Sequence, residues 1–308
     1  MSLICIPSSF SLIQFFVFIS LSYVTIIYHH INADSQNLAR KRASEFGKTT
    51  ITDGHLNGKT RQDDILVTTT ASSSEISHSI PQSKFHLGGL SSAMTFESEP
   101  RGFFADQFEN ESNYKAHYRG TGPEILRQTG GMIDAFISGA GTGGTISGTG
   151  SFLKKHVPEI KLVLSDPEGS GLFNKVKYNV MYDPKESEGK KRRHQVDTVV
   201  EGIGINRITH NLSLGLEMID DAYRISDIEA VAMSRYLVEH DGLYLGSSSA
   251  CNLLACVRVA KRLRSGSRIV TILCDAGHRH QNKFWSDEYL AKMGITPDPT
   301  IIDRLLDE

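Results

Sequence analysis

Gly139-Ala140-Gly141-Thr142-Gly143-Gly144-Thr145-Ile146-Ser147-Gly148 decides how this chain is read. It follows Ala135-Phe136-Ile137-Ser138, an apolar run that predicts a short buried strand, and it opens a helix predicted over 145–156. Glycines in such a turn let the backbone approach an anion closely, and the unpaired N–H groups of the helix's first turn point at it. Gly139, Gly141 and Gly144 also satisfy G-x-G-x-x-G, the dinucleotide spacing. Asp166 then follows the next predicted strand, 161–165, where a ribose contact would fall. The plain alternative is a tight turn with no ligand, with Asp166 capping the turn at Ser165-Asp166-Pro167.

Working outward, apolar strands alternate with helices. A helix is predicted over 228–240 with Asp227 as its cap, another over 249–263, and a near-continuous apolar strand over 268–274. Strands this apolar imply a parallel sheet covered on both faces, hence a doubly wound α/β fold. Three further small-residue turns fall between these elements: Glu201-Gly202-Ile203-Gly204, Gly246-Ser247-Ser248-Ser249-Ala250-Cys251-Asn252, and Cys274-Asp275-Ala276-Gly277-His278. Turns at strand ends are where an open α/β sheet builds its site.

In this order and spacing the four turns resemble the fold-type II pyridoxal-phosphate enzymes, with the tryptophan synthase β-like fold. Within them the chain is similar to the cysteine synthase and cystathionine β-synthase branch, closest to its fungal cysteine synthase-like members. Gly102–Glu109, Tyr118 and Gly120-Thr121-Gly122-Pro123-Glu124-Ile125 carry the same likeness, which covers roughly 99–290 with an echo at 32–43. The resemblance implies pyridoxal 5'-phosphate as cofactor, an amino-acid substrate, a homodimer, and β-replacement of the acetate of O-acetylserine by sulfide to give cysteine. It further implies that Gly141, Thr142, Gly143, Gly144 and Thr145 hold the cofactor phosphate, while Gly202 and Gly204 lie beside its ring. Ser248 and Ser249 would shape the cavity or simply cap a helix. The position facing the pyridine nitrogen falls on Asp275 or on Ala276.

One part of the pattern is missing. The chemistry needs a lysine that forms a Schiff base with the cofactor, which the family carries in an S-x-K-D-R-type motif. Neither that motif nor an S-G-N-x-G-type carboxylate grip occurs in these residues. Lys41, Lys48, Lys59, Lys84 and Lys115 precede the glycine turn, and none has matching flanks. The fold is therefore expected to be incomplete, with only a remnant of the small N-terminal domain, and this polypeptide to be inactive. A truncated gene model or a genuine pseudoenzyme would each explain the pattern. The competing functions are a membrane-tethered, non-catalytic phosphate-binding or regulatory subunit and a nicotinamide-dependent oxidoreductase.

The N-terminal third reads differently. No charged residue occurs from Ser2 to Tyr28, and the run is long enough to cross a bilayer as one helix. It predicts a membrane anchor over 3–28 with a cytosol-facing domain, the mitochondrial outer membrane being one such location. If the run is not native sequence, the chain is cytoplasmic. A cleaved signal peptide fits poorly, because a basic n-region and a small-residue cleavage site are lacking. The expected division is an apolar segment (1–31), a weakly family-like helical segment (32–60), a Ser/Thr/Gly-rich disordered insert (61–98) and a partial enzyme domain (99–300).

Composition excludes other classes. Lys+Arg total 33 against Asp+Glu 35, which argues against a general nucleic-acid binder. Cys5, Cys251, Cys256 and Cys274 form no C-x-x-C, so neither a disulfide framework nor a cysteine metal site is expected. His278 and His280 are too few for a metal centre. Lys190–His194 reads as a solvated basic loop, and the Asn110 and Asn211 glycosylation patterns as chance matches.

Overall fold

The computed structural model describes residues 3–7, 14–19, 50–51, 67–68, 105–182 and 198–307. It divides into two units, residues 1–29 with 107–308, and residues 30–106. In the smaller unit β3 (Thr50–Ile51) pairs antiparallel with β4 (Val67–Thr68). The rest of the expected helical segment and insert lies outside the described residues, as does the basic loop at 190–194.

In the larger unit the elements run β1 (Leu3–Pro7), β2 (Gln14–Ile19), α1 (Ser112–Ala116), a π-helical turn (His117–Thr121), α2 (Gly122–Gln128), β5 (Ala135–Gly139) and α3 (Gly144–His156). Then come β6 (Lys161–Pro167), α4 (Leu172–Tyr178), α5 (His210–Ser213), β7 (Asp221–Ile225), α6 (Asp227–Asp241), α7 (Ser247–Ala260), β8 (Arg268–Leu273), α8 (Asp287–Lys292) and α9 (Thr300–Asp307). The six-stranded sheet has the order β1-β2-β8-β5-β6-β7. All neighbours are parallel except β1 and β2. From β5 the chain winds outward through β6 and β7, then returns to place β8 on the other side of β5. That reversal opens a crevice at the carboxyl ends of β5 and β8.

Strand residues alternate between two apolar layers. Ala135, Ile137, Ile269 and Leu273 pack with α6, α7 and α9, whereas Phe136, Val270 and Ile272 pack with α2 and α3. Each fully buried side chain of this size contributes roughly 1.5–3 kcal/mol, so both faces of the central strands are committed. This two-sided burial is why the strands read as continuous apolar runs. The prediction of a parallel, doubly wound sheet is met.

Two local expectations are corrected. The cap of α6 is Ser226, whose side chain accepts from Glu229 N–H in a capping box. Asp227 is instead buried, and accepts from the Thr198 hydroxyl and from Val199 N–H at 3.1 Å. The apolar N-terminal run is not one helix. Its described parts are β1 and β2, and β2 continues the sheet along β8, with Gln14 opposite Arg268 and Ile19 opposite Leu273. Among the described residues no helix is long and apolar enough to cross a membrane. The reason is physical: Phe15, Phe16, Val17 and Ile19 favour strand as readily as helix, and the open edge of β8 offers backbone partners.

Candidate functional site

The glycine turn sits at the mouth of the crevice, between β5 and α3. Gly143 is the N-cap of α3 at φ 86°, and a Cβ there would lie 2.4 Å from Leu212 Cβ and 2.6 Å from its Cα. A Cβ on Gly141 would meet the carbonyl oxygen of Gly202 at 2.4 Å. Glycine is therefore required by both backbone angle and close approach. Thr209 fastens the turn from below: its hydroxyl caps α5 by accepting from Leu212 N–H and donates to Thr142 O at 2.6 Å.

The turn keeps its donors free. Among the described residues no acceptor meets the N–H groups of Gly141, Thr142, Gly143 or Thr145. The Thr142 hydroxyl accepts from Asn113 Nδ2 at 2.8 Å, so its own proton is available. Thr145 Oγ1 lies 3.2 Å from His117 Nε2. These neutral donors, part-exposed at Gly141, Thr142 and Thr145 and buried at Gly143, form a cup at a helix N-terminus that can take an anion, with the positive end of the α3 dipole behind it. The residues present fit a phosphate group.

The second turn packs beside the first. Gly204 N–H donates to Ala140 O at 2.9 Å, and Ile203 packs under Gly139. Gly202 and Gly204 have φ of 88° and 87°, and the Cβ direction of Gly202 opens into empty space next to the cup. Glu201 N–H donates to Ser247 Oγ at 2.9 Å, which ties this turn to the start of α7. Ser248 is buried beside the Cys274 thiol, and Ser249 Oγ accepts from Cys274 N–H at 2.8 Å. These serines fasten the ends of α7 and β8 together.

Asp275 is held in a charge network. Its Oδ2 lies 2.8 Å from His280 Nε2, its side chain abuts Gly246, and Ala276 bridges to Leu245. His280 Nδ1 faces Glu201 Oε2 at 3.4 Å, and Glu201 Oε1 accepts from Lys283 at 2.6 Å. Burial by itself lowers the pKa of His280, but the Asp275 and Glu201 carboxylates outweigh it and raise the value to about 9. The folded state then keeps a proton that the unfolded chain releases near pH 6.5. This contribution to stability is complete below about pH 6.5 and is lost as pH rises through about 9. Urea midpoints measured from pH 6 to 10 should fall over that window, and His280→Gln should flatten the decline.

Asp166 does not present itself to a ribose. It is fully buried, and its Oδ2 accepts from Phe173 N–H at 2.7 Å in the first turn of α4. Asp166 therefore bonds the first turn of α4 and not the turn at Ser165-Asp166-Pro167, where a capping role was the alternative, and the dinucleotide spacing carries no second support. Asn211 is also fully buried, with its amide donating to Phe108 O at 2.8 Å, so its glycosylation pattern is indeed fortuitous. Cys251 and Cys256 are buried free thiols, and burial pushes Cys256 up to about 12. No metal-binding group of side chains occurs among the described residues.

Sequence reasoning missed Asn113, His117 and Thr209, and gave no role to Ser247 and Asn252. Asn252 was within the quoted third turn, but only the fold shows what it bonds. Lys41, Lys48, Lys59 and Lys84 lie outside the described residues. Lys115 pairs with Glu111 at 3.0 Å, and Lys283 pairs with Glu201 of the second turn at 2.6 Å.

A switch point in a parallel sheet, with neutral donors gathered at a helix N-terminus beside it, is where open α/β folds bind ligands. The model for the pyridoxal-phosphate dependent enzyme family matches residues 85–275, and the chain belongs to that family. Within it, the chain is a fold-type II member of the cysteine synthase and cystathionine β-synthase branch, whose cofactor is pyridoxal phosphate. It is 57% identical over 209 residues to cysteine synthase 2 of Schizosaccharomyces pombe, covering 67% of this chain and 53% of that protein. It is 33% identical over 205 residues to cystathionine beta-synthase of Rattus norvegicus, covering 67% and 34%. A solved structure, the O-acetylserine dependent cystathionine beta-synthase from Helicobacter pylori, is 34% identical with a TM-score of 0.48, covering 59% of this chain and 53% of that one. The chain spans about half the length of the cysteine synthases it matches.

Proposed function

We propose that this chain provides the phosphate-anchoring half of a cysteine synthase site, and that these 308 residues do not complete the reaction by themselves. The reaction is β-replacement on O-acetylserine: the bond from the β-carbon to acetate breaks and a bond from sulfide to that carbon forms, giving cysteine. The observation that carries the reading is the cup of unengaged N–H groups at Gly141, Thr142, Gly143 and Thr145, closed by Gly202. Bound there, pyridoxal phosphate would supply the electron sink that lets acetate leave. The chain's own residues would anchor the phosphate through the cup and leave room for the ring beside Gly202. Ser248 and Asp275 would line the crevice indirectly, by fixing the ends of α7 and β8.

The proposed inactivity rests on the missing lysine motif. Of the described lysines, Lys115 forms an ion pair with Glu111 and Lys283 one with Glu201. The test combines pyridoxal phosphate binding with borohydride reduction and peptide mapping of the full 308-residue chain. Binding is expected through the phosphate, with no lysine carrying a reduced pyridoxyl group and no cysteine formed from O-acetylserine and sulfide. A modified lysine, with Lys283 the first to inspect, would overturn the inactivity. Failure of both pyridoxal phosphate and inorganic phosphate to bind would overturn the site. A homodimer is expected by family, and light scattering at micromolar concentration checks it.

A further inference from the structure

Asn113 and His117 stand one helical turn apart, on the face of α1 and the π-helical turn that meets the cup. Each bonds a threonine of the cup. Asn113 Nδ2 donates to Thr142 Oγ1 and to the carbonyl oxygen of Gln107, both at 2.8 Å. A carbonyl can only accept, so the Gln107 contact fixes which end of the amide carries the protons. Thr142 must then accept from Asn113, and its own proton is turned to whatever the cup holds.

His117 has no such fixed direction. Its Nδ1 is 3.0 Å from Thr121 Oγ1 and its Nε2 is 3.2 Å from Thr145 Oγ1. Loss of hydration in this half-buried position pushes its pKa down to about 4. Near neutral pH the ring therefore has one donor nitrogen and one acceptor nitrogen, and two tautomers compete. With the proton on Nδ1, Nε2 draws the Thr145 proton toward itself, and Thr145 shows the cup a lone pair. With the proton on Nε2, the ring donates to Thr145 and frees the Thr145 proton for an anion.

We infer that His117 is a positioning residue whose Nε2-protonated tautomer aims the Thr145 hydroxyl into the phosphate cup, with the Thr121 hydroxyl selecting that tautomer by donating to Nδ1. The hydrogen bonds run in one direction, from Thr121 to His117, from His117 to Thr145, and from Thr145 to the anion. Anion binding and tautomer are then linked, so each favours the other. The inference rests on the phosphate reading of the cup, and its test separates the two.

The full chain, with 15N-labelled histidine and backbone, is titrated with inorganic phosphate and with pyridoxal phosphate near pH 7.5. The expected result is that the backbone amides of residues 141–145 move on binding, while the His117 nitrogens show an Nε2 proton and a bare, hydrogen-bonded Nδ1. Thr121→Val removes only the hydroxyl, which caps no helix. It should return signal from the Nδ1-protonated form and weaken phosphate binding roughly threefold to tenfold, the worth of one hydrogen bond. His117→Gln keeps an amide donor for Thr145 and should bind better than His117→Phe. If the amides of the cup respond but His117 stays protonated on Nδ1, or Thr121→Val binds as the parent does, this inference is overturned while the site survives. If the cup amides do not respond to either ligand, the phosphate reading fails and the inference with it.

Discussion

Gly143→Ala is expected to destabilise the larger unit by about 3 kcal/mol and to abolish measurable phosphate binding. Two effects add. An alanine at φ 86° takes on left-handed strain of roughly 1–2 kcal/mol. Its methyl would also overlap Leu212, whose Cβ, Cα and N stand 2.4, 2.6 and 2.8 Å from the new atom. Leu212 is fully buried in α5, so overpacking adds roughly another 1–3 kcal/mol. For a unit of this size the melting temperature should fall by roughly 6–12 °C. Gly242→Ala is the matched comparison, because its φ is 66° with nothing within 4 Å of a Cβ and it lies at the end of α6. That variant should show the strain alone, with phosphate binding intact. Equal losses in both variants, by calorimetry and phosphate titration, would show that backbone strain alone matters at Gly143.

Asn252→Leu is expected to have an effect of similar size by a different route. The ladder between β5 and β8 covers only Ala135–Ile137 against Ile269–Thr271. Beyond it the strands part to make the crevice, and the fully buried Asn252 of α7 fills the gap. Its Oδ1 accepts from Gly139 N–H at 2.8 Å, and its Nδ2 donates to Ile272 O at 2.9 Å. Leucine has the same branching and number of heavy atoms but is bulkier, and it removes the partners of two buried backbone groups, at roughly 1–3 kcal/mol each. The Gly139 end of β5 should loosen, and phosphate affinity should fall with stability. Asn252→Asp tests the account further. It keeps an acceptor for Gly139 but must be protonated to donate to Ile272, so its folded pKa is raised. The stability it retains should be present at low pH and lost as pH rises through that raised value. A pH-independent Asn252→Asp would count against the bridging role.

Much of the frame was legible in the sequence. The runs 135–138 and 268–274 are apolar on successive residues because both sheet faces are covered, and that pattern is local. The glycine turn was legible because its backbone angle and tight contacts restrict the residues to glycine within a single short stretch. Harder to read were residues whose role depends on a distant partner. Asp166 and Asp227 each sit where a strand meets a helix, and they read as a ribose contact or turn cap and as a helix cap. The fold buries them and makes them caps for segments that local spacing does not reveal.

The amino-acid sequence alone determined the alternation of elements, the glycine turn between β5 and α3, and the absence of the family's lysine motif from these residues. All three are set by nearest neighbours and by backbone sterics. Tertiary structure decided which groups face one another. The apolar N-terminal run has no charge pattern to choose helix over strand, and the open edge of β8 makes β2 a strand. Asn252 and Gly139 are 113 residues apart, and His117 and Thr145 are 28 apart. Hydrogen bonds of that span form only after the layers pack, because their direction and burial come from elements that no local periodicity encodes.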